Sequence, residues 1–328
     1  MTKKVLILGV TGQDGSYMAE LLLSKGYEVH GFIRRSATGN KKNILHILDK
    51  ITLHKGDLAD ATSLYRVINT VKPTELYNFA DQDHVSWSYD SPDYSSDITG
   101  AAVGRILEII KQVDPTIKFF QPISSNIFGK AKENPQTEET SFRPQSPYGC
   151  AKAYALVLVR YYRDVFGLFA STAIFYNHES PRRTDEYVTR KITKAAARIK
   201  CGLQIKLMLG DLRQGVDFGY APVYVEAAWN VLQLQKPDDF IICTGEVHTV
   251  REFLEEAFKV VGLKADDYVE IDPKLIRPGK TDTLVGDYSK ATKAFGYKPS
   301  VKFKELVKIM VEHDLGEAKK EISTEKKK

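Results

Sequence analysis

The chain is poor in cysteine: three in 328 residues, at positions 150, 201 and 243. So sparse and odd a set supplies neither a disulfide framework nor a zinc cluster, and it suits a reducing cytoplasm. No metal site is expected. Long apolar runs are also lacking, and none reaches the ~20 residues needed to cross a bilayer. The N-terminus enters an apolar segment by Val5 with no signal-peptide pattern before it. Repeats, low-complexity stretches and nucleic-acid-binding motifs are missing, and the formal net charge of +5 is modest. Part of that excess lies in residues 317–328, where lysines cluster and no apolar stripe continues. This stretch is expected to be a frayed, disordered basic tail, in preference to a basic contact surface. What remains is an ordinary globular composition, 43% hydrophobic and 27% charged, long enough for one large or two modest domains.

In the first half, short apolar strands alternate with helical stretches. Strands are expected at 5–8, 28–33, 51–54, 75–79, 118–121 and 170–175, and helices at 17–25, 61–68, 100–113 and 146–166. This rhythm predicts an α/β fold, a Rossmann-type doubly wound parallel sheet over residues 1–176. After Asn177 the rhythm loosens. Helices are expected at 188–201, 224–233, 250–261, 287–295 and 302–315, a strand at 205–209, and loops at 182–187 and 273–278. Residues 177–328 therefore form mainly a smaller C-terminal α/β lobe that binds substrate, with some segments returning to the first domain. The cleft between the two is where small molecules bind.

Gly9, Gly12 and Gly15 follow the first strand directly and open the first helix. The first permits a tight turn, the second lets backbone approach a pyrophosphate, and the third allows close packing. With Thr11, Gln13 and Asp14 between them, they face phosphates with helix N-terminal amides. The second strand ends at Arg34 and Arg35, with no acid to accept from a ribose hydroxyl. Arginines there attract a phosphate, which favours NADP over NAD; the alternative is a solvated basic loop. Asp57, followed by Leu58, is either an acceptor for the adenine amino group or the N-cap of the next helix.

Tyr148 and Lys152 stand four residues apart at a helix start, which puts both on one face. An ammonium beside a phenol favours the phenolate, so Tyr148 can take a proton from a sugar hydroxyl as hydride leaves the same carbon. Such a pair alone is weak evidence. The glycine fingerprint and the Ser124–Ser125 pair just upstream give it context.

With these residues in place, the chain resembles extended short-chain dehydrogenases acting on nucleotide sugars, and among them the GDP-mannose 4,6-dehydratase family. The resemblance runs over nearly the whole chain and rests on residues 9–17, 31–36, 146–149, 177–183, 188–191 and 244–251. It implies a nucleotide-sugar substrate, GDP-linked, and a homodimer or homotetramer, because residues 34–36 and 180–183 resemble segments that join subunits. It implies that Tyr148 and Lys152 remove the hydroxyl proton at carbon 4 and that Ser124 polarises that oxygen. It also implies that Asp83, Ser125, Asn177, Lys191 and Arg277 line the substrate.

The departures matter as much. Where the family carries a Glu that takes the carbon 5 proton and lets water leave, this chain has Asn126. An amide has no useful basicity, so elimination is expected to fail while carbon 4 oxidation survives. That leaves an epimerase, a 4-dehydrogenase or a 4-keto reductase. The alternatives are a working dehydratase whose base has moved to Asp83, where the family has a serine, and a silent cofactor-binding subunit. Asp83 serves more readily as a hydroxyl acceptor than as a base. Val216 stands where the family has an arginine that helps neutralise the diphosphate, and Lys280 where it has a glutamate; either Arg213 and Lys280 restore the charge from new directions, or these changes are drift on an exposed loop.

Overall fold

In a computed structural model, the structure describes residues 2–36, 39–275 and 283–325. Seven strands form one sheet: β1 (Lys4–Leu8), β2 (Glu28–Arg34), β3 (Thr52–Gly56), β4 (Glu75–Asn78), β5 (Lys118–Ser124), β6 (Ala170–Phe175) and β7 (Asp239–Ile242). Their spatial order is β7-β6-β5-β4-β1-β2-β3. Every pairing is parallel, β1 lying between β2 and β4 in the register Val5↔Val29 and Val5↔Glu75. This is the expected doubly wound α/β sheet.

Its two faces are buried by alternate residues of the same strand, because strand side chains have a period of two. On β1, Leu6 and Leu8 enter one core with α2 (Ala61–Val71), α3 (Ala102–Val113) and α4 (Pro147–Phe166). Val5 and Ile7 enter the other, with α1 (Gln13–Ser24) and α6 (Ala221–Gln233). A third core joins α5 (Val188–Lys200), α7 (Val250–Val260) and α9 (Phe303–Glu325) in the second lobe. A short helix, α8 (Ser289–Phe295), returns to pack against β7.

The structure corrects three expectations. Strand β7 was not foreseen: it is four residues long and starts on an aspartate, Asp239, an unlikely leader for a buried strand in sequence terms. It carries the chain back from the second lobe to the edge of the first sheet, as does α8. Residues 317–325 are not a frayed tail. Helix α9 runs to Glu325, Ala318 is buried and Glu321 pairs with Arg198 of α5, so one small residue and one ion pair hold the last turns down. Finally, α1 begins at Gln13 and α6 at Ala221, each earlier than its apolar stripe suggested. Among the described residues, no helix is long and apolar enough to cross a membrane, and no cluster of ligands could hold a metal.

Candidate active site

The first two turns of α4 deliver Tyr148 and Lys152. Ser146 caps this helix, its hydroxyl accepting from the Gly149 amide at 3.0 Å, and Pro147 sits where a missing N–H costs nothing. Gly149 permits a close approach: a Cβ there would lie 2.8 Å from the Asn126 carbonyl oxygen. The start of α4 is thus seated on the short turn Ser125–Ile127 at the end of β5. That contact gathers Ser124, Asn126 and Tyr148.

The Ser124 hydroxyl oxygen accepts from the Asn126 backbone amide at 3.2 Å and from its side-chain Nδ2 at 3.0 Å. Both lone pairs are then engaged, which leaves the hydroxyl proton to donate. The Tyr148 phenol is a neighbour of that hydroxyl, close enough for it to oppose the rise in the phenol's pKa. Burial pushes that phenol well above its ordinary pKa, and the Asp81 and Asp83 carboxylates push it further; Ser124 and Arg183 act against them.

Lys152 is buried beside Tyr148, its ammonium 5.7 Å from the phenol ring centroid. Its direct partners are others: Asp81 Oδ2 at 2.5 Å and the Pro122 carbonyl oxygen at 3.0 Å. The expected lysine–tyrosine pair is therefore shared with an acid. Sequence reasoning passed over Asp81, whose other oxygen accepts from the Thr99 hydroxyl at 2.5 Å. The signal was its place, three residues past the C-terminal end of β4, where parallel sheets bind ligands.

Asp83 lies on the same loop but is half-exposed, with Arg183 Nη1 at 3.8 Å. Tyr187 donates to its backbone carbonyl at 3.1 Å and lies under the Arg183 guanidinium, 3.5 Å from ring centroid to Cζ. Asp81, Asp83, Ser124, Asn126, Tyr148, Lys152, Arg183 and Tyr187 thus form one neighbourhood at the ends of β4 and β5.

The glycine turn is tight. Gly9 has φ +78, and a Cβ there would lie 2.7 Å from Phe79 and Ala80 backbone. At Gly15 it would stand 2.2 Å from the Gly9 carbonyl oxygen. At Gly12 only that same oxygen is near, at 3.3 Å, so a side chain would fill the concave side of the turn. The residues present therefore fit a dinucleotide pyrophosphate held by the α1 N-terminus. The Thr11 carbonyl accepts from Asn43 Nδ2 at 3.1 Å.

Gln13 and Asp14 also tie the turn to the second lobe. Gln13 Nε2 donates to the His178 carbonyl at 3.2 Å and Gln13 Oε1 accepts from the Ser180 hydroxyl at 2.8 Å. His178 Nε2 lies 2.9 Å from Asp14 Oδ2, and Nδ1 lies 2.9 Å from the Tyr176 carbonyl oxygen. Burial alone would lower the histidine pKa; the Asp14 charge and hydrogen bond outweigh it and raise it. Acceptors face both nitrogens, an arrangement that favours the charged ring.

The remaining sites fall as follows. Arg34 and Arg35 are exposed at the end of β2, and Arg34 Nη1 donates to the Tyr94 hydroxyl at 3.0 Å. The N-cap of α2 is Asp60, accepting from Thr62 at 3.0 Å; Asp57 instead accepts from Ala59 at 3.0 Å, so its capping alternative is excluded. Leu58 is buried beside it. Ser125 is buried in its turn, Asn177 and Lys191 are exposed, and the Asn177 carbonyl accepts from Gly219 at 2.8 Å. Arg213, one of the two residues weighed for restoring diphosphate charge, is forked onto Asp211 at 2.9 and 3.0 Å, and Val216 lies in the two-residue strand Gly215–Val216. Arg277 and Lys280 lie outside the described residues.

Comparison with known proteins agrees with this geometry. The chain is 49% identical to GDP-mannose 4,6 dehydratase 2 of Arabidopsis thaliana over 97% of its own length and 88% of that protein's. Among solved structures it resembles UDP-glucose 4-epimerase of Thermus thermophilus in complex with NAD, at a TM-score of 0.83 and 26% identity, covering 95% of this chain and 99% of that one. It also has the fold of RMD from Pseudomonas aeruginosa complexed with NADPH, at a TM-score of 0.81 and 20% identity, covering 96% of this chain and 100% of that one. The model of one enzyme family, GDP-mannose 4,6 dehydratase, matches residues 6–310, and to that family the chain belongs.

Proposed function

We propose that the protein is an NAD(P)-dependent nucleotide-sugar enzyme that carries out hydride chemistry at carbon 4 of a GDP-linked hexose. It acts as an epimerase, a 4-dehydrogenase or a 4-keto reductase, and does not dehydrate efficiently. One observation carries this reading: Ser124, Tyr148 and Lys152 meet around an amide, Asn126, that donates into the site. The bound nicotinamide supplies a hydride acceptor or donor. Tyr148 exchanges a proton with the carbon 4 oxygen, and Ser124 donates to the same centre. Neither Asn126 oxygen nor nitrogen can remove the carbon 5 proton at neutral pH. Gly9, Thr11, Gly12, Gln13, Asp14 and Gly15 hold the cofactor phosphates, and Arg34 and Arg35 favour NADP. Asp57 and Leu58 border the adenine, while Ser125, Asn177, Lys191 and Arg277 contribute to the sugar-nucleotide site.

The protein is proposed to be cytoplasmic and a homo-oligomer. Supporting the latter, α4 exposes an apolar stripe of Tyr154, Val157, Tyr161 and Val165 at helical spacing.

A second reading, dehydration by a relocated base, is favoured by the half-exposed carboxylate of Asp83 at the same loop. Incubation with GDP-mannose and cofactor in deuterated water separates the two. The expected result is no 4-keto-6-deoxy sugar and no deuterium at carbon 5. A deoxysugar that disappears in Asp83→Asn would establish the second reading and dispose of the first.

A further inference from the structure

Outside the Tyr148 neighbourhood, His30 of β2 and His54 of β3 meet across the outermost pairing of the sheet, with His30 Nδ1 3.0 Å from His54 Nε2. The other nitrogen of His30, Nε2, lies 2.9 Å from Glu28 Oε1. His30 is buried and His54 half-buried. The Glu28 carboxylate accepts, so His30 Nε2 carries a hydrogen. Between the two rings a bond of this length holds one hydrogen, donated by one ring and accepted by the other. The closed pair therefore carries at most three hydrogens on its four nitrogens, one fewer than two free imidazolium rings. The charges around it come from three neighbouring elements. Lys4 of β1 lies 3.8 Å from Glu28 Oε1, and Arg66 of α2 donates through Nη2 to the Lys55 carbonyl of β3 at 3.0 Å. The Lys55 side chain points to the opposite face by strand alternation. One carboxylate thus offsets two cations here, and it is already committed to His30 and Lys4.

We propose that the His30–His54 contact is an acid-sensitive latch on the β2–β3 edge, which closes around one shared hydrogen and opens to take the last proton. With a fourth hydrogen, two N–H groups would point at each other and both rings would be cations. The rings then part, and His54 turns to water. Strand β3 ends the sheet and has a strand neighbour on one side only, so its release disrupts no other pairing. The register sets Arg34 opposite Gly56, so the two latched strands lead to Arg34 and Asp57. Acid therefore loosens the end of the sheet that carries two of the proposed cofactor-binding residues, although the latch itself does not depend on that role. The His54 pKa lies below its ordinary value, through burial first and then the charges of His30 and Arg66, in agreement with the geometry.

The test uses the intact chain and needs neither cofactor nor substrate. Protein labelled with nitrogen-15 at histidine is titrated by NMR, the two resonance sets being assigned by their loss in His30→Gln and His54→Gln. In wild type both rings are expected to respond together to the first proton. The second is expected to bind ~10-fold or more weakly than to an ordinary histidine, a step about one unit or more below pH 6.5. In each variant the remaining histidine should titrate in one step. Hydrogen exchange of the residue 52–56 amides, read by mass spectrometry, measures the opening. Because opening takes up one proton, the exchange rate of wild type relative to His54→Gln is expected to rise by up to ~10-fold per pH unit between about pH 6.5 and 5. If His54→Gln does not fold, His30→Gln supplies the reference, since it removes the other side of the contact. Two independent titrations near pH 6.5, or a relative exchange rate that stays flat with pH, overturn the proposal.

Discussion

Asn126 places two N–H groups on the Ser124 oxygen, and this decides what Ser124 can offer a substrate. A glutamate at the same position would accept where the amide donates, and would bring a proton acceptor to the end of β5. Asn126→Glu is therefore expected to gain 4-keto-6-deoxy product, by ~10²-fold or more over the parent, measured by product analysis with GDP-mannose. Another single residue governs a pH response. Asp217 is buried and accepts from the Thr244 and Gly245 amides; burial raises its pKa to about 6 against those bonds. Its charge in the folded state is a cost above about pH 6. On acidification the folded protein takes up that proton while the unfolded chain is still ionised, and the cost is relieved. Relative to Asp217→Asn, wild type should gain about 2 kcal/mol on going from neutral pH to roughly pH 4 in urea melts. At this scale the glycines, Tyr148, Lys152 and Ser124 were legible because each is tied to a fixed local pattern. Asp81 was not, since its importance comes from Lys152, 71 positions away in the chain.

Helix α4 shows how elements support the site. Its N-terminal turns carry Tyr148 and Lys152, while its C-terminal half is clamped by the unforeseen strand. Arg160 Nε and Arg163 Nη2 lie 2.7 and 2.9 Å from Asp239 Oδ2 of β7, and Thr172 of β6 donates to Oδ1 at 2.7 Å. Burial opposes the charge on Asp239, but Arg163 holds its pKa below the ordinary value. Asp239→Asn leaves two guanidinium groups without their anion and should cost about 3–5 kcal/mol in denaturant unfolding. The first six strands were readable from apolar runs at βαβ spacing. Strand β7 was hidden because its leading aspartates look like a loop, and only the arginines of α4 make one of them a core residue. The end of α9 was hidden for a similar reason: its anchors, Ala318 and Glu321, are weak sequence signals that find partners only across the fold.

Across the whole molecule, the glycine turn and the second lobe share one hydrogen-bonded joint, Gln13 and Asp14 with His178 and Ser180. The glycine turn at the start of α1 is thereby tied to the segment that follows β6. The exposed stripe on α4 takes no part in this joint, and its burial against a second copy would hide Val157 and Tyr161. Val157→Asp is expected to lower the sedimentation coefficient to that of a monomer while leaving the α4 cap at Ser146 intact. Strand β7 has one more consequence, in time. Strand β6 ends at Phe175 and β7 begins at Asp239, so the ribosome must deliver the intervening segment before the sheet edge closes. At ~5–20 residues per second that is a wait of several seconds. During it, the helix bearing Tyr148 and Lys152 has two arginines with no buried anion, and β6 is an open edge. Helix α4 is thus made early and locked late, and the nascent chain has to shield that edge until residue 239 arrives.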